Sequence, residues 1–110
     1  MKDDLVFVRH ILDEICFLIK ETESLTYDQL LSNETLERAI LRSLEVIGEA
    51  SKNISQELKQ KHPDIEWKEM AGLRDKLIHF YFGVDWAIVW DVIKVNIPEL
   101  KIKLEIVMRP

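Results

Sequence analysis

Apolar residues recur at helical spacing along most of the chain. Between residues 4 and 20 they share one helical stripe. Its members are Leu5, Val8, Ile11, Leu12, Ile15, Leu18 and Ile19. After a weaker stretch, Thr26 and Gln29 have the spacing of a capping box, which predicts the start of a short helix. No alternation of strand period continues beyond a few residues.

A second and longer stripe begins after Asn33 and predicts one helix as far as Lys61. Its members are Leu36, Ile40, Leu44, Ile47, Ala50, Ile54 and Leu58. Gly48 lies inside this helix, where glycine costs roughly 1 kcal/mol relative to alanine, so we expect a neighbouring backbone to approach closely there. Pro63 ends the helix, because the residue before a proline is disfavoured in helical conformation.

Two more helical segments are predicted in the C-terminal half. One begins around residues 65–68 and runs until Gly83. The other is capped by Asp85 and divided by Pro98. With three glycines and three prolines in 110 residues the chain has few turns. The pattern therefore predicts an all-α bundle of about five helices with short connections, in a single domain spanning residues 1–110.

The net charge of the chain limits the kinds of partner that it can bind. The formal net charge is −5 at pH 7, which is the wrong sign for coating nucleic acid through a broad basic face, so any contact with RNA must be local. Cys16, the single cysteine, lies in an apolar run and is expected to be buried and inert. No uninterrupted apolar stretch has signal-peptide or transmembrane form, so we expect a soluble, cytoplasmic protein with no membrane partner.

Segment 74–81 gathers an arginine, an acid, a histidine and a tyrosine within eight residues. His79 can take up or release a proton near neutral pH, so it can serve as a general base or a general acid. Arg74 can neutralise negative charge such as that of a phosphate group. Asp75 is four residues from His79 and can support it by orienting the imidazole, although an ion pair of Asp75 with Lys76 or Arg74 is equally compatible.

Ordinary structural roles compete with these chemical ones. From spacing alone, His79 is most simply a partly buried helix histidine, and Tyr81 is a packing residue with its hydroxyl at the surface. Packing is also favoured over base stacking for the tryptophans, which are Trp67, Trp86 and Trp90. The spaced glutamates lack a Glu-x-x-His motif, so we expect neither a metal nor a cofactor.

Three blocks of sequence resemble one known family. Arg74, four residues, His79, one residue and Tyr81 resemble the R-x4-H-x-Y signature of HepT-like toxins of the HEPN superfamily. Residues 44–50 resemble the IEIIGEA helix of that family, and residues 84–90 and 97–100 resemble its C-terminal part. The blocks occur in the same order as in the family and span nearly the whole chain, so residues 1–110 resemble a HepT-like HEPN domain.

The resemblance implies the toxin component of a type VII (HepT/MntA-like) toxin–antitoxin system. In that interpretation the protein is a metal-independent endoribonuclease with Arg74 and His79 as catalytic residues. Because one chain offers a single histidine in this segment, two facing segments of a homodimer would form one composite cleft for the RNA substrate. The resemblance further implies that a cognate MntA-like nucleotidyltransferase antitoxin adds AMP to Tyr81, which would block RNA entry beside Arg74.

The alternative is a non-catalytic HEPN module that dimerises and recruits a nucleotidyltransferase or a nucleotide. The net acidity of the chain favours it. So does the angle of about 140° that separates Arg74 from His79 around an ideal helix, since the two side chains would not share a face.

Overall fold

Helices form most of the chain in the computed structural model, which describes residues 2–79 and 83–110. They are α1 (Lys2–Thr22), α2 (Tyr27–Leu31), α3 (Glu34–Lys52), α4 (Gln56–Lys61), α5 (Trp67–Ala71), α6 (Leu73–Leu77), α7 (Trp86–Asp91) and α8 (Ile97–Val107). A π-helical segment, Val92–Asn96, joins α7 to α8 without a break. Strands β1 (Ile78–His79) and β2 (Gly83–Val84) form a short antiparallel pair between α6 and α7. The expected all-α fold class is confirmed.

The core forms where α1 packs along α3. Both helices are amphipathic, and most of their apolar stripes are buried, although Leu5 is exposed and Leu12 and Ile19 are half-buried. These stripes include Val8, Ile11, Ile15 and Leu18 of α1 and Ile40, Leu44 and Ile47 of α3. Helix α8 packs on α1, whereas α5 and α6 pack on α3. The segment that carries the candidate site is therefore held against α3.

The long helix expected as far as Lys61 is interrupted after Lys52. Ser55 starts the new helix α4, because its hydroxyl accepts a hydrogen bond from the Leu58 N–H at 3.2 Å. Ile54 and Leu58 are nevertheless buried, so the apolar spacing continues across the break. The prediction of one helix was wrong because the apolar residues keep their helical spacing across the turn. The spacing alone therefore gives no sign that the helix is interrupted.

Asp4 joins the start of α1 to this break. It is 3% exposed, and its carboxylate accepts hydrogen bonds from the Ser55 N–H at 2.8 Å and from the Ser55 hydroxyl at 2.6 Å. Burial raises the pKa of Asp4, but the hydrogen bonds from Ser55 and nearby positive charge outweigh it, so the pKa is lowered. The contact therefore favours the ionised carboxylate and fixes α1 relative to the α3–α4 turn.

The division expected at Pro98 does not occur, since the π segment and α8 run through it. In a regular α-helix, Pro98 would leave the Lys94 carbonyl without a donor, and its ring would clash with that carbonyl. The Ile97 N–H instead bonds to the Val92 carbonyl five residues back, so the ladder has shifted register before the proline. The π turn is the physical reason that the helix continues.

Two expectations concern the outside of the bundle. Cys16 is exposed, so the prediction of a buried thiol was wrong. It follows the fully buried Ile15 by about 100° around α1, which turns it away from the core. No helix in the described ranges combines the length and the apolar character needed to cross a bilayer.

The contact between Asp4 and Ser55 leads to a prediction about acid stability. Asp4→Asn keeps the shape of the side chain but removes its charge, and we expect it to lower the free energy of unfolding near neutral pH by about 1–2 kcal/mol. Because the folded pKa lies below the unfolded value of about 3.9, the contribution of the charge is complete above that value and is lost as the pH falls through the folded pKa. Urea unfolding of both proteins from about pH 7 to about pH 3 measures the difference.

Asp13→Asn is the matched control, since Asp13 is an exposed aspartate on the same helix. It should change the unfolding free energy little at any pH. A deficit of Asp4→Asn that stays constant as the pH falls would contradict the role given to the charge.

Candidate functional site

The candidate segment leaves helical conformation after Leu77, although one helix was expected to continue until Gly83. Residues 78–82 are β-branched, aromatic or histidine, and such residues favour extended backbone over helix. Gly83 has a φ of 79°, and the Asp85 N–H bonds to the Leu77 carbonyl at 3.4 Å. The prediction was therefore wrong, and the ideal-helix angle within the segment does not apply.

The structure distributes the predicted site residues over successive elements. Arg74 and Asp75 belong to α6, and Asp75 is exposed. His79 belongs to β1, where its main chain pairs with Gly83. Tyr81 lies outside the described residues, and for Arg74 and His79 we describe the main chain alone. The four-residue helical spacing expected between Asp75 and His79 is absent, because His79 is not in the helix. The catalytic roles stay predictions.

Close packing at Gly48 positions α6. A Cβ atom on Gly48 would lie 3.4 Å from the carbonyl oxygen of Ala71 and 3.5 Å from that of Met70, at the end of α5. This confirms the predicted approach of a neighbouring backbone. Helix α6 follows α5 after a single residue, and both Leu73 and Leu77 are buried. The position of the Arg74 main chain in the fold therefore depends on how closely α5 approaches α3.

A groove with an apolar floor separates α5 and α6 from the π segment and α8. Its rim carries acids and lysines, namely Glu66, Glu69, Glu99, Lys76 and Lys103. A hydrogen bond with Glu69 and the charge of that residue raise the pKa of Glu66. Lys103 lies 3.3 Å from Glu99 and donates a hydrogen bond to the Asp64 carbonyl at 2.9 Å. Within residues 2–79 and 83–110, no three histidine, cysteine or acidic side chains are grouped as metal ligands.

A second, shallow cleft opens beside β2, and we call it the β2 cleft. It is lined by Tyr27, Leu31, Gly83, Val84, Asp85, Trp86 and Ala87. The ring of Tyr27 contacts that of Trp90, with 5.9 Å between their centres and an angle of 57°. The ammonium group of Lys94 lies 4.9 Å from the centre of the Trp90 ring on α7. Ring packing thus holds Tyr27 at the edge of the cleft.

All three tryptophans have the packing role expected of them. Trp67 is buried and donates a hydrogen bond to the His62 carbonyl at 3.0 Å, and Trp90 packs against the core. Trp86 also contacts the core but lines the β2 cleft. Sequence reasoning missed Tyr27 and Trp86 as neighbours. Each directly follows a helix N-cap, which is a signal for a side chain at a helix end, but the sequence does not show which ends meet.

Known proteins similar to this chain bear ribonuclease names. A family model described as Ribonuclease HepT-like matches residues 11–107. A protein of Caldanaerobacter subterraneus subsp. tengcongensis, provisionally named an RNase, is 46% identical over 101 residues, which cover 92% of this chain and 90% of that protein. A similarly named protein of Methanocaldococcus jannaschii is 42% identical over 108 residues, which cover 98% and 89%.

A protein of Thermococcus cleftensis named probable ribonuclease HepT is 49% identical over 89 residues, which cover 80% of this chain and 81% of that protein. No solved structure matches the chain. The family match contains Arg74, His79 and Tyr81 within its range.

The packing at Gly48 can be tested with two substitutions of different size. Gly48→Ala adds a methyl group at ordinary contact distance and improves helix propensity by about 1 kcal/mol, so the melting temperature should hold or rise. Gly48→Leu adds atoms that the main chain of α5 must move to admit, and overpacking costs about 1–3 kcal/mol. Thermal unfolding followed by circular dichroism should show a melting temperature several degrees lower.

Glu49→Leu is the control, because it adds the same side chain at the next, exposed position of α3. It should change the melting temperature little. If Gly48→Leu is as stable as the parent protein, close packing at this position is not what sets the distance between α3 and α5.

Proposed function

The chain belongs to the HepT-like ribonuclease family and is an RNA endonuclease, and on this basis we propose that it is the toxin of a type VII (HepT/MntA-like) toxin–antitoxin system. The observation that carries the proposal is the family match over residues 11–107, which include Arg74, His79 and Tyr81. The proposed site of action is the cytoplasm. The non-catalytic alternative is set aside, because the family is one of ribonucleases.

The proposed reaction needs no metal. The 2′-hydroxyl oxygen attacks the adjacent phosphorus, and the bond from phosphorus to the 5′ oxygen breaks. One imidazole takes the 2′-hydroxyl proton and another protonates the leaving 5′ oxygen, so the products are a 2′,3′-cyclic phosphate and a 5′-hydroxyl. Arg74 neutralises the charge that grows on the phosphate oxygens. His79 is the proposed source of both imidazoles.

A homodimer supplies the second imidazole. The other histidines lie elsewhere in the fold, with His10 within α1 and His62 at the end of α4. Neither belongs to the elements that carry Arg74 and His79. A two-fold axis that brings the two α6–β1 segments together would place two copies of His79 and two of Arg74 around one cleft.

Mixing an inactive variant with the parent protein tests whether the site is shared. His79→Ala and Arg74→Ala should each lose most cleavage activity, since a positioned acid or base contributes about 10²- to 10⁴-fold. If cleavage needs one His79 from each protomer, co-refolding the parent with an excess of His79→Ala draws parent chains into dimers that hold a single imidazole, so the cleavage per parent chain falls. The assay follows single-stranded RNA in EDTA and detects 2′,3′-cyclic phosphate ends.

Lys76→Ala is the control, because Lys76 is an exposed cation of the same helix. It should retain most of the activity. Undiminished cleavage by His79→Ala rules out the proposed chemistry, and a cleavage per parent chain that stays constant in the mixture rules out a site shared across the two protomers.

The proposed antitoxin is a cognate MntA-like nucleotidyltransferase that modifies Tyr81. The phenol oxygen attacks the α-phosphorus of ATP, and pyrophosphate leaves. The attached AMP adds negative charge and bulk two residues from His79. That charge competes with the RNA phosphate for Arg74 and excludes the substrate.

Intact mass spectrometry tests the modification. Co-expression with a MntA-like nucleotidyltransferase should raise the mass of the chain by one or more AMP units and abolish RNA cleavage. Tyr81→Phe removes the attacking oxygen, so this variant should keep its mass, and the nucleotidyltransferase should not reduce its cleavage. The chain has two tyrosines, and Tyr27→Phe is the matched control that should be modified like the parent protein. AMP addition to Tyr81→Phe at the parent level would overturn the assignment.

A further inference from the structure

The β2 cleft begins directly across the strand pair from His79. Gly83 and Val84 line the cleft, and they pair with His79 and Ile78 respectively. Paired strands lie about 4.8 Å apart, so the cleft starts within one strand spacing of the His79 main chain. Among the described residues, and apart from its chain neighbours, nothing would lie within 4 Å of a Cβ atom on Gly83. A group held near the His79 main chain would therefore lie beside the cleft.

Aromatic and aliphatic side chains form the walls of the cleft. Tyr27 and Trp86 are half-buried, and Leu31 is 46% exposed at the mouth. Tyr27 is held in place by its ring contact with Trp90. Trp90 in turn lies under Lys94, whose ammonium group donates a hydrogen bond to the carbonyl of Thr22 at the end of α1. The rings are thus positioned before any ligand arrives, which limits the entropy lost on binding.

We infer that the β2 cleft is a nucleobase subsite, which holds the base of a nucleotide adjacent to the bond that His79 cleaves. Unstacked bases of single-stranded RNA bind to proteins by stacking on aromatic side chains. The inference rests on the proposed catalytic role of His79. It extends that role by naming residues that bind the substrate beside the reacting phosphate.

Charge favours a base over a phosphate in this cleft. Asp85 lines the cleft, and Asp28 follows Tyr27 in the first turn of α2. These carboxylates repel the sugar-phosphate backbone but not an uncharged base. The chain as a whole is also acidic, with a net charge of −5, so stacking supplies affinity that a basic surface provides in other RNA-binding proteins.

Asp85 can select among bases. One of its oxygens, Oδ1, accepts a hydrogen bond from the Ile88 N–H at 3.3 Å and caps α7. The other carboxylate oxygen can accept a hydrogen bond from an exocyclic amino group. Cytosine carries such a group where uracil, of the same shape, carries a carbonyl. The cleft should therefore prefer cytidine over uridine at this position.

The experiment uses a short single-stranded RNA that the protein cuts at one bond, with an abasic ribose placed in turn on either side of that bond. For the parent protein, one abasic position should raise KM about tenfold or more, because a base stacked on an aromatic ring contributes about 1–3 kcal/mol. Tyr27→Leu should raise KM for the intact RNA by a similar factor and respond little to the abasic change. Tyr27→Phe keeps the ring and should therefore keep the abasic penalty.

Three further variants keep the test decisive. Phe7→Leu removes a half-buried ring of α1 that does not line the cleft, so it should retain the full abasic penalty. Leu31→Glu replaces an apolar wall residue at the exposed mouth by a polar one, so it should weaken the seat of an uncharged base and reduce the abasic penalty without disturbing the fold, which covers the case in which Tyr27→Leu does not fold. Asp85→Asn keeps a capping side chain and should bring the ratio of cytidine to uridine cleavage toward one.

The outcomes separate this inference from the proposed catalytic site. If Tyr27→Leu or Leu31→Glu keeps the parent KM and the parent abasic penalty, the cleft does not bind a base. If Phe7→Leu loses the penalty as well, the effect is not specific to the cleft. Undiminished cleavage by His79→Ala defeats the catalytic proposal instead, whereas the abasic penalty still reports whether a base occupies the cleft.

Discussion

Contact between the main chain of α5 and the Gly48 face of α3 is the constraint on which the site depends. Helix α6 has only five residues and is too short to be stable alone, so its position comes from packing. Leu73 and Leu77 bury against the bundle, and α5 holds the start of α6 one residue away. At 3.4 Å from the Ala71 carbonyl, the space at Gly48 admits little more than a hydrogen atom or a methyl group. The position of a catalytic arginine on α6 would therefore be set by the backbone contact between α5 and α3.

Helical periodicity and capping chemistry allowed most of the fold to be predicted. The capping box at Thr26 forms with both of its hydrogen bonds, and Asp85 caps α7 as expected. The break before α4 was missed because Ile54 and Leu58 stay in phase with the stripe of α3. Its cause is a contact between Ser55 and Asp4, which are 51 positions apart, and local pattern does not reveal such contacts.

The backbone of the candidate segment was not predicted from the sequence, and the roles of its residues stay predictions. The run of β-branched and aromatic residues from 78 to 82 was a strand signal that the apolar spacing of Leu73 and Leu77 obscured. A strand of two residues gains little stability by itself. The pairing of β1 with Gly83 therefore depends on the start of α7, which follows β2 after a single residue. The nearness of Tyr27 to Trp86 was also unpredictable, because it joins two helix ends that are distant in sequence. The resemblance to a family pointed to the candidate residues of the site. Which side chains lie next to them in space is determined by packing, so it could not be predicted from the resemblance.

An acidic protein that cleaves RNA must concentrate its attraction for the substrate in few groups. The chain has 15 lysines and arginines against 20 acids, and several cations are already paired with glutamates along α3 and α8. Exposed pairs of this kind contribute little to stability, but they reduce the positive charge available to a phosphate. The proposed site would rely on one arginine per protomer of the proposed dimer and on uncharged stacking surfaces. One adenylate on Tyr81, which is a phosphodiester with a single negative charge, would then offset the charge of that arginine and add bulk, which is why a single modification could control the enzyme.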